Sequence, residues 1–363
     1  INAFAHFVLS GADFGCRTRS SRQTRALCSK KNPGKRPRLA VVAMVKNEAD
    51  IIELFTSHLL ALFDEIVIVD HQSDDGTAEF LAAMEERFPQ ARLLTLCEPS
   101  YIQSVAMTHV VRDIPSLRCA DWVFFLDADE FLPFQTRNAF HRALEAYRGC
   151  PIISMRWRNV VPAKYWPDAV DLTETTKFFL PPAFSSFKKI AFQPSRLNIE
   201  KTEVAQGNHA LADTLTRAEL RAFEAKFHLI HIPIRSNAQL ALKLKQGVRS
   251  YQLLGRKRDQ AQGTHWQRMA RSTSLRVVHD GHLNAMAVNY SEDGQSLEPI
   301  SRQDLLSLGY TCGTLSFARE HTGLKALRPT GSRMTKIRQG AQSDVPCATR
   351  LMTCRNGDLV RIE

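Results

Sequence analysis

Two aspartates, Asp127 and Asp129, stand one residue apart directly after the apolar run 122–126 (WVFFL). Carboxylates at this spacing can hold one divalent cation between themselves and a diphosphate, because Mg²⁺ and Mn²⁺ favour oxygen ligands and share their shell with phosphate oxygens. Such a cation stabilises a departing nucleoside diphosphate as negative charge builds on its oxygens. The structural alternative is that these acids cap the next helix or lie in a solvated turn. Two more polar clusters follow apolar runs in the same way. Lys46-Asn47-Glu48 comes after 39–45 (LAVVAMV), and Asp70 to Thr77 (DHQSDDGT) comes after 66–69. Asp70, Ser73, Asp74 and Asp75 offer acceptors for a base N–H and a ribose hydroxyl. The alternative there is a strand-to-helix turn with Asp75 or Thr77 as the N-cap. Asn47 and Glu48 carry the same choice between capping and nucleotide contact.

The elements that position these clusters are legible from periodicity. The run 39–45 is short and wholly apolar, which predicts a strand buried on both faces. Residues 48–63 place Ile51, Phe55, Leu59 and Phe63 at helical spacing, with Asn47 as N-cap. Strands are predicted at 66–69, 92–97, 122–126 and 152–157. Helices are predicted through Phe80, Leu81, Met84 and Phe88, over 102–114 and over 136–147. This alternation predicts an α/β domain with a mostly parallel twisted sheet and helices on both faces, Rossmann-like in its nucleotide-binding half. Ligands of such sheets bind beyond the carboxyl ends of the strands. All three polar clusters fall there. The pattern loosens over 159–235 and returns as a strand at 229–234 and a helix at 237–254. The expected organisation is a basic disordered arm (1–37), an α/β domain (38–255), a helical or irregular extension (256–324) and a disordered tail (325–363).

The chain of 363 residues carries a net charge of +11, which raises the question of nucleic acid. The distribution answers it: residues 1–40 hold +8, residues 325–363 hold +5, and the centre holds −2. No specific nucleic-acid surface is expected in the fold. The basic tails allow a loose peripheral attachment to anionic membrane surfaces. Eight cysteines show no CxxC pairing, so Cys97 and Cys119 are expected as buried thiols in a reducing, cytoplasmic setting. No apolar run is long enough to span a membrane. The opening INAFAHFVLS is too short and weakly apolar for a signal peptide.

The segments AMVKNEADII (43–52), IVIVDHQSDDGT (66–77) and DWVFFLDADEFL (121–132), in this order, resemble the family 2-type glycosyltransferases. More narrowly they resemble a bacterial branch whose fourth-strand motif runs D-W-hydrophobic-D-A-D-E-F. The resemblance implies a GT-A fold, a nucleotide-sugar donor, and Mn²⁺ or Mg²⁺ held by Asp127 and Asp129. It also implies that Glu48 and Asp70 contact the nucleotide, with Asp75 nearby, and that a glycan or lipid-linked molecule is the acceptor. GNHAL (207–211) and HIPIRS (231–236) are similar to the family's two His-containing motifs, the second followed by a helix bearing Lys243 and Lys245. His209 and His231 are therefore candidates to complete the metal shell, and Arg235 and Ser236 to lie near phosphate. A His between apolar residues, as in LIHIPI, also suits a core position. The base that would deprotonate the acceptor is not assigned; Asp168, Asp171 and Glu174 lie in the expected region, and Glu130 is expected to support the metal loop.

Rival readings fit less well. A haloacid dehalogenase-type phosphohydrolase uses the first Asp of a hydrophobic-strand-D-x-D motif as a nucleophile. It requires Thr or Val where Phe131 stands and a later GDxxxD that the chain lacks. A metal-dependent nucleotidyltransferase shares the fold logic. A degenerate transferase would keep the same fold and serve as a binding module, yet every expected carboxylate is present.

Overall fold

The computed structural model describes residues 36–98, 100, 102–165, 176–253, 269, 279–290, 297–319, 324, 327, 351–353 and 359–361. Asp168, Asp171 and Glu174 lie outside the described residues, as does the basic arm up to residue 35.

Strand β1 (Leu39–Val45) is buried along its whole length, as its uninterrupted apolar sequence demands. It lies between β2 (Glu65–Asp70) and β4 (Trp122–Phe125), parallel to both, and β3 (Ala91–Leu96) continues the parallel set beyond β2. The order β3-β2-β1-β4 reverses direction at β1/β4, the kind of switch point where a crevice opens above the carboxyl ends. Side chains of β1 alternate between two cores. Leu39, Val41, Ala43 and Val45 pack with helices α1 (Ile52–Leu62), α2 (Thr77–Arg87) and, past an intervening α3 (Gln103–Asp113) and the short α4 (Pro115–Arg118), with α5 (Arg137–Glu145). Ala40, Val42 and Met44 pack with α3 on the other face. The predicted sheet with helices on both faces is therefore present.

Beyond β4 the sheet turns mixed, and the short later strands include β7 (Val161–Pro162), β8 (Lys177–Leu180), β10 (Thr202–Val204), β11 (Leu211–Asp213) and β12 (Phe223–Glu224). β9 (Lys188–Phe192) pairs antiparallel with β4 and with β6 (Ile152–Asn159). β13 (Leu229–His231) runs parallel to β6 and antiparallel to the short β5 (Glu130–Phe131), which bends back from the tip of β4. Helix α6 (Asn237–Leu253) follows β13. Helices α7 (Asp280–Val288) and α8 (Arg302–Ser307) lie in the extension. Its strand Thr311–Thr314 pairs with Lys177–Leu180, and Phe317 stacks on Phe131 at 4.6 Å, so this segment contributes to the main core. The segment expected as a disordered tail contributes Leu351–Thr353, which pairs with β3 and covers an edge otherwise open to other chains.

Three local expectations are corrected. Helix α1 starts at Ile52, four residues later than its apolar spacing predicted, because Asn47 has a left-handed backbone (φ 54°) and is no N-cap. Its side-chain amide exchanges two 2.7 Å hydrogen bonds with Asp74 instead, locking the β1 and β2 loops together. Cys119, expected as a thiol, is disulfide-bonded. Cys97 forms no disulfide and is only half-buried. Among the described residues no helix is long and apolar enough to cross a membrane.

Candidate functional site

The register of the central strands sets the site. Val45 lies beside Asp70, so the loops leaving β1 and β2 emerge together, and β4 brings the Asp127 turn to the same edge. Asp70 keeps one carboxylate oxygen on the Ser73 amide at 3.2 Å, while its buried Oδ1 has no hydrogen-bond partner. Burial raises its pKa. Asp75 accepts the amides of Ala49 and Thr77, each at 3.0 Å, and the Thr77 hydroxyl at 2.6 Å. It thus serves the turn, as the capping reading allowed, and also ties the turn to the β1 loop.

The Asp127 turn closes on itself: the Asp127 amide donates to the Glu130 carboxyl and the Glu130 amide to the Asp127 carbonyl, both at 3.0 Å. Glu130 supports the loop, as expected. Burial pushes its pKa well above the usual carboxylate range, against the pull of Lys189. Asp127 Oδ2 accepts the Lys189 ammonium at 2.6 Å, and its Oδ1 is buried without a hydrogen-bond partner. Asp129 Oδ2 accepts Lys243 at 2.6 Å, with Arg235 Nη1 at 3.8 Å, and its Oδ1 lies 3.6 Å from His231 Nε2. Burial alone would raise the Asp129 pKa, but Lys243, His231 and Arg235 hold it well below the usual range.

His231 is held by Asn159 through Nδ1 at 2.8 Å, because β13 pairs with β6 in the register His231↔Asn159. Its ring stacks on Trp157 at 4.4 Å, and Tyr290 meets it edge-on at 5.1 Å. It is both a packed core residue and a neighbour of Asp129. His209 packs against the same Trp157 at 5.6 Å and bonds the Lys188 carbonyl at 2.5 Å. Burial and nearby Lys189 lower its pKa to about 4, leaving the ring neutral.

Arg235, expected beside phosphate, is fully buried and already engaged. Its guanidinium grips Asp50 through two hydrogen bonds of 2.6 and 2.8 Å and Glu48 through one of 2.5 Å. The planar fork suits this two-point grip, which joins the β1 loop to the segment after β13. Burial lifts the Glu48 pKa to about 7 despite Arg235. Ser236 caps α6, its hydroxyl accepting the Gln239 amide at 3.0 Å. Lys245 does not join Lys243. It lines a separate cleft of about 230 Å³ with Lys46, Asn47, Gln72, Asp74 and Arg249, between α6 and the β1 and β2 loops.

Sequence reasoning missed Lys189, Asp50, Trp157 and Tyr290. A lysine inside the apolar strand pattern FKKIAF was the available signal for Lys189; the others are ordinary-looking until the fold brings them together.

A divalent cation fits the chemistry of this donor set, since Asp127 and Asp129 offer hard oxygens and one of them is buried and unpartnered. Among the described residues no group of three or more His, Cys, Asp or Glu could hold an ion unaided. Water or ligand oxygens would have to complete the shell.

A parallel core ordered β3-β2-β1-β4, extended by mixed strands and carrying acidic turns at the carboxyl ends of β1, β2 and β4, is the GT-A type of glycosyltransferase fold. Residues 40–200 match the profile of Glycosyl transferase family 2, so Asp70, Asp127 and Asp129 fall inside the matched segment, and His209, His231, Arg235 and Lys243 beyond it. No curated protein matches the chain. Among 128 matching chains of solved structures is the mannosyltransferase PcManGT from Pyrobaculum calidifontis, in complex with GDP-Man and Mn²⁺. It shares 14% identity over 75% of this chain and 87% of its own, with a TM-score of 0.36.

Proposed function

We propose that the chain transfers a sugar from a nucleotide-sugar donor to a hydroxyl of a glycan acceptor. The observation that carries this reading is Asp127 and Asp129 on one turn at the switch point, in a segment similar to glycosyl transferase family 2, with a buried oxygen of Asp127 left for a ligand. In this reading Asp127 and Asp129 would hold Mn²⁺ or Mg²⁺, which when bound neutralises charge on the leaving diphosphate. Asp70, with its free Oδ1, and Asp74, which lines the cleft with Asn47, would receive the base and ribose. Lys189 and Glu130 hold the Asp127 turn in place, and Arg235 fixes Glu48 and Asp50 against it. His209 and His231 flank the turn through Trp157.

The test is donor hydrolysis by the purified chain with Mn²⁺ and UDP-, GDP- or ADP-sugars, which also identifies the donor. Asp127→Asn and Asp129→Asn are each expected to slow turnover about a hundredfold or more. Turnover at the wild-type rate in both variants would refute the reading. Asp127→Asn should also lower thermal stability, because it leaves the Lys189 ammonium buried without its closest counter-charge.

A further inference from the structure

The two lysines that neutralise the aspartates are held very differently. The Lys189 ammonium donates to Asp127 Oδ2 at 2.6 Å and to the Gly207 carbonyl at 2.8 Å, lies 3.7 Å from Glu130 and sits over the Trp157 ring. Its side chain is 1% exposed and comes from the middle of the sheet. Lys243 reaches Asp129 from helix α6 on a flexible four-carbon stem, remains 19% exposed, and shares its ammonium with Tyr290. One lysine is fixed. The other is partly open to solvent.

For a divalent ion, Asp127 would offer its unpartnered Oδ1, whereas Oδ2 of Asp129 is already bonded to Lys243. A dication and an ammonium on one carboxylate repel each other strongly at low local dielectric. Asp129 itself is braced by His231 at 3.6 Å and Arg235 at 3.8 Å, so the carboxylate is not the part that yields. The donor's diphosphate is a diester whose two negative charges the ion balances, and a further negative charge develops as the sugar departs, which favours a further cation beside the phosphates.

Building on the glycosyltransferase reading, we infer that Lys243 is an exchangeable counter-ion. It holds Asp129 while the donor is absent, yields that carboxylate to the divalent ion, and passes its ammonium to the donor's diphosphate. Lys243 thereby couples ion binding to diphosphate binding, and the coupling is reciprocal. The free protein binds the ion weakly, because Lys243 competes for Asp129.

The experiment measures Mn²⁺ affinity of the full chain, without nucleotide, from the electron paramagnetic resonance signal of free Mn²⁺. Lys243→Met is expected to bind Mn²⁺ about tenfold or more tightly than wild type, and Lys243→Arg, which keeps the cation, to match wild type. With Mn²⁺ saturating, nucleoside diphosphate affinity should fall about tenfold or more in Lys243→Met. Thermal denaturation checks each variant's fold, and Lys243→Gln repeats the measurement if the Met variant unfolds. Mn²⁺ affinity in Lys243→Met equal to or weaker than wild type, or no measurable binding in either, overturns the inference. If wild type turns over nucleotide sugar while Mn²⁺ affinity ignores residue 243, only this inference falls. If no nucleotide sugar is turned over, the underlying functional reading falls.

Discussion

Arg235→Met tests how the site is held together. The side chain is 0% exposed and binds Glu48 and Asp50, with Asp129 at 3.8 Å. Methionine fills a similar path through the core but leaves the two acids of the β1 loop without their shared cation. Removing one partner of a buried ion pair costs about 3–5 kcal/mol, because the other charge stays desolvated. At about 2–4 °C per kcal/mol for a domain of this size, the melting temperature should drop by roughly 6–20 °C. Part of the loss can be recovered by protonation. Glu48 already has its pKa raised to about 7 by burial, with Arg235 pulling it down, so removing Arg235 raises it further. A carboxyl whose folded pKa lies above its unfolded value contributes stability at low pH and loses it as pH rises through the folded pKa. The deficit of Arg235→Met should therefore be smaller at pH 5.5 than at pH 8. Calorimetry at both pH values reads the effect. A melting temperature within 2 °C of wild type at pH 8 would refute the buried-clamp reasoning, and a deficit independent of pH would refute the role given to Glu48.

Two more predictions concern the scaffold. His58 is buried, bonded through Nδ1 to the Ala318 carbonyl at 2.8 Å, and accepts the Leu132 amide on Nε2 at 2.9 Å. Burial lowers its pKa to about 4, so its contribution is complete above pH 6.5 and is lost as pH falls toward 4. In His58→Leu, the slope of unfolding free energy against pH over this range should shrink by up to one proton, about 1.4 kcal/mol per pH unit, as measured by urea denaturation; an unchanged slope would count against it. Gly207 has φ 75°, and a Cβ there would come within 2.3 Å of His209 Nε2. Gly207→Ala should destabilise by about 2 kcal/mol or more from backbone strain and displacement of the His209 ring, read by thermal denaturation; a variant as stable as wild type would mean that the ring moves freely.

The central sheet and its acidic turns were legible because parallel strands buried on both faces leave uninterrupted apolar runs, as in β1 and β4, and the residue where the run stops marks the mouth of the crevice. The cations were harder to place. Lys189 meets Asp127 across 62 positions and Arg235 meets Asp50 across 185, and nothing in local periodicity encodes pairings that only the strand order creates. Arg235 was found as a candidate from its motif, but its full burial against two acids depends on how the segment after β13 docks on the β1 loop. The late start of α1 has a similar cause. Apolar spacing reports the helix face and is blind to Asn47 being drawn into a reciprocal bond with Asp74.

The segment similar to family 2 ends at residue 200, yet it cannot build the site alone. It supplies Glu48, Asp50, Asp127, Asp129 and Lys189, whereas Arg235, Lys243 and His231 come from residues 229–253. That later segment also fills the core: Leu229, Ile230, Ile232, Ile234, Leu240 and Leu244 are each no more than 6% exposed. Burying six such side chains is worth about 9–18 kcal/mol at 1.5–3 kcal/mol apiece. That is as large as the whole margin of about 5–15 kcal/mol by which domains are stable. A fragment of residues 36–200 should therefore show no cooperative unfolding transition by circular dichroism and bind no nucleoside diphosphate. The fragment would lose β13, the partner of both β5 and β6, so the turn bearing Asp129 would lose its anchoring strand together with its counter-charges. A fragment that melts cooperatively would show instead that the parallel half folds by itself and that the later segment serves only the ligand.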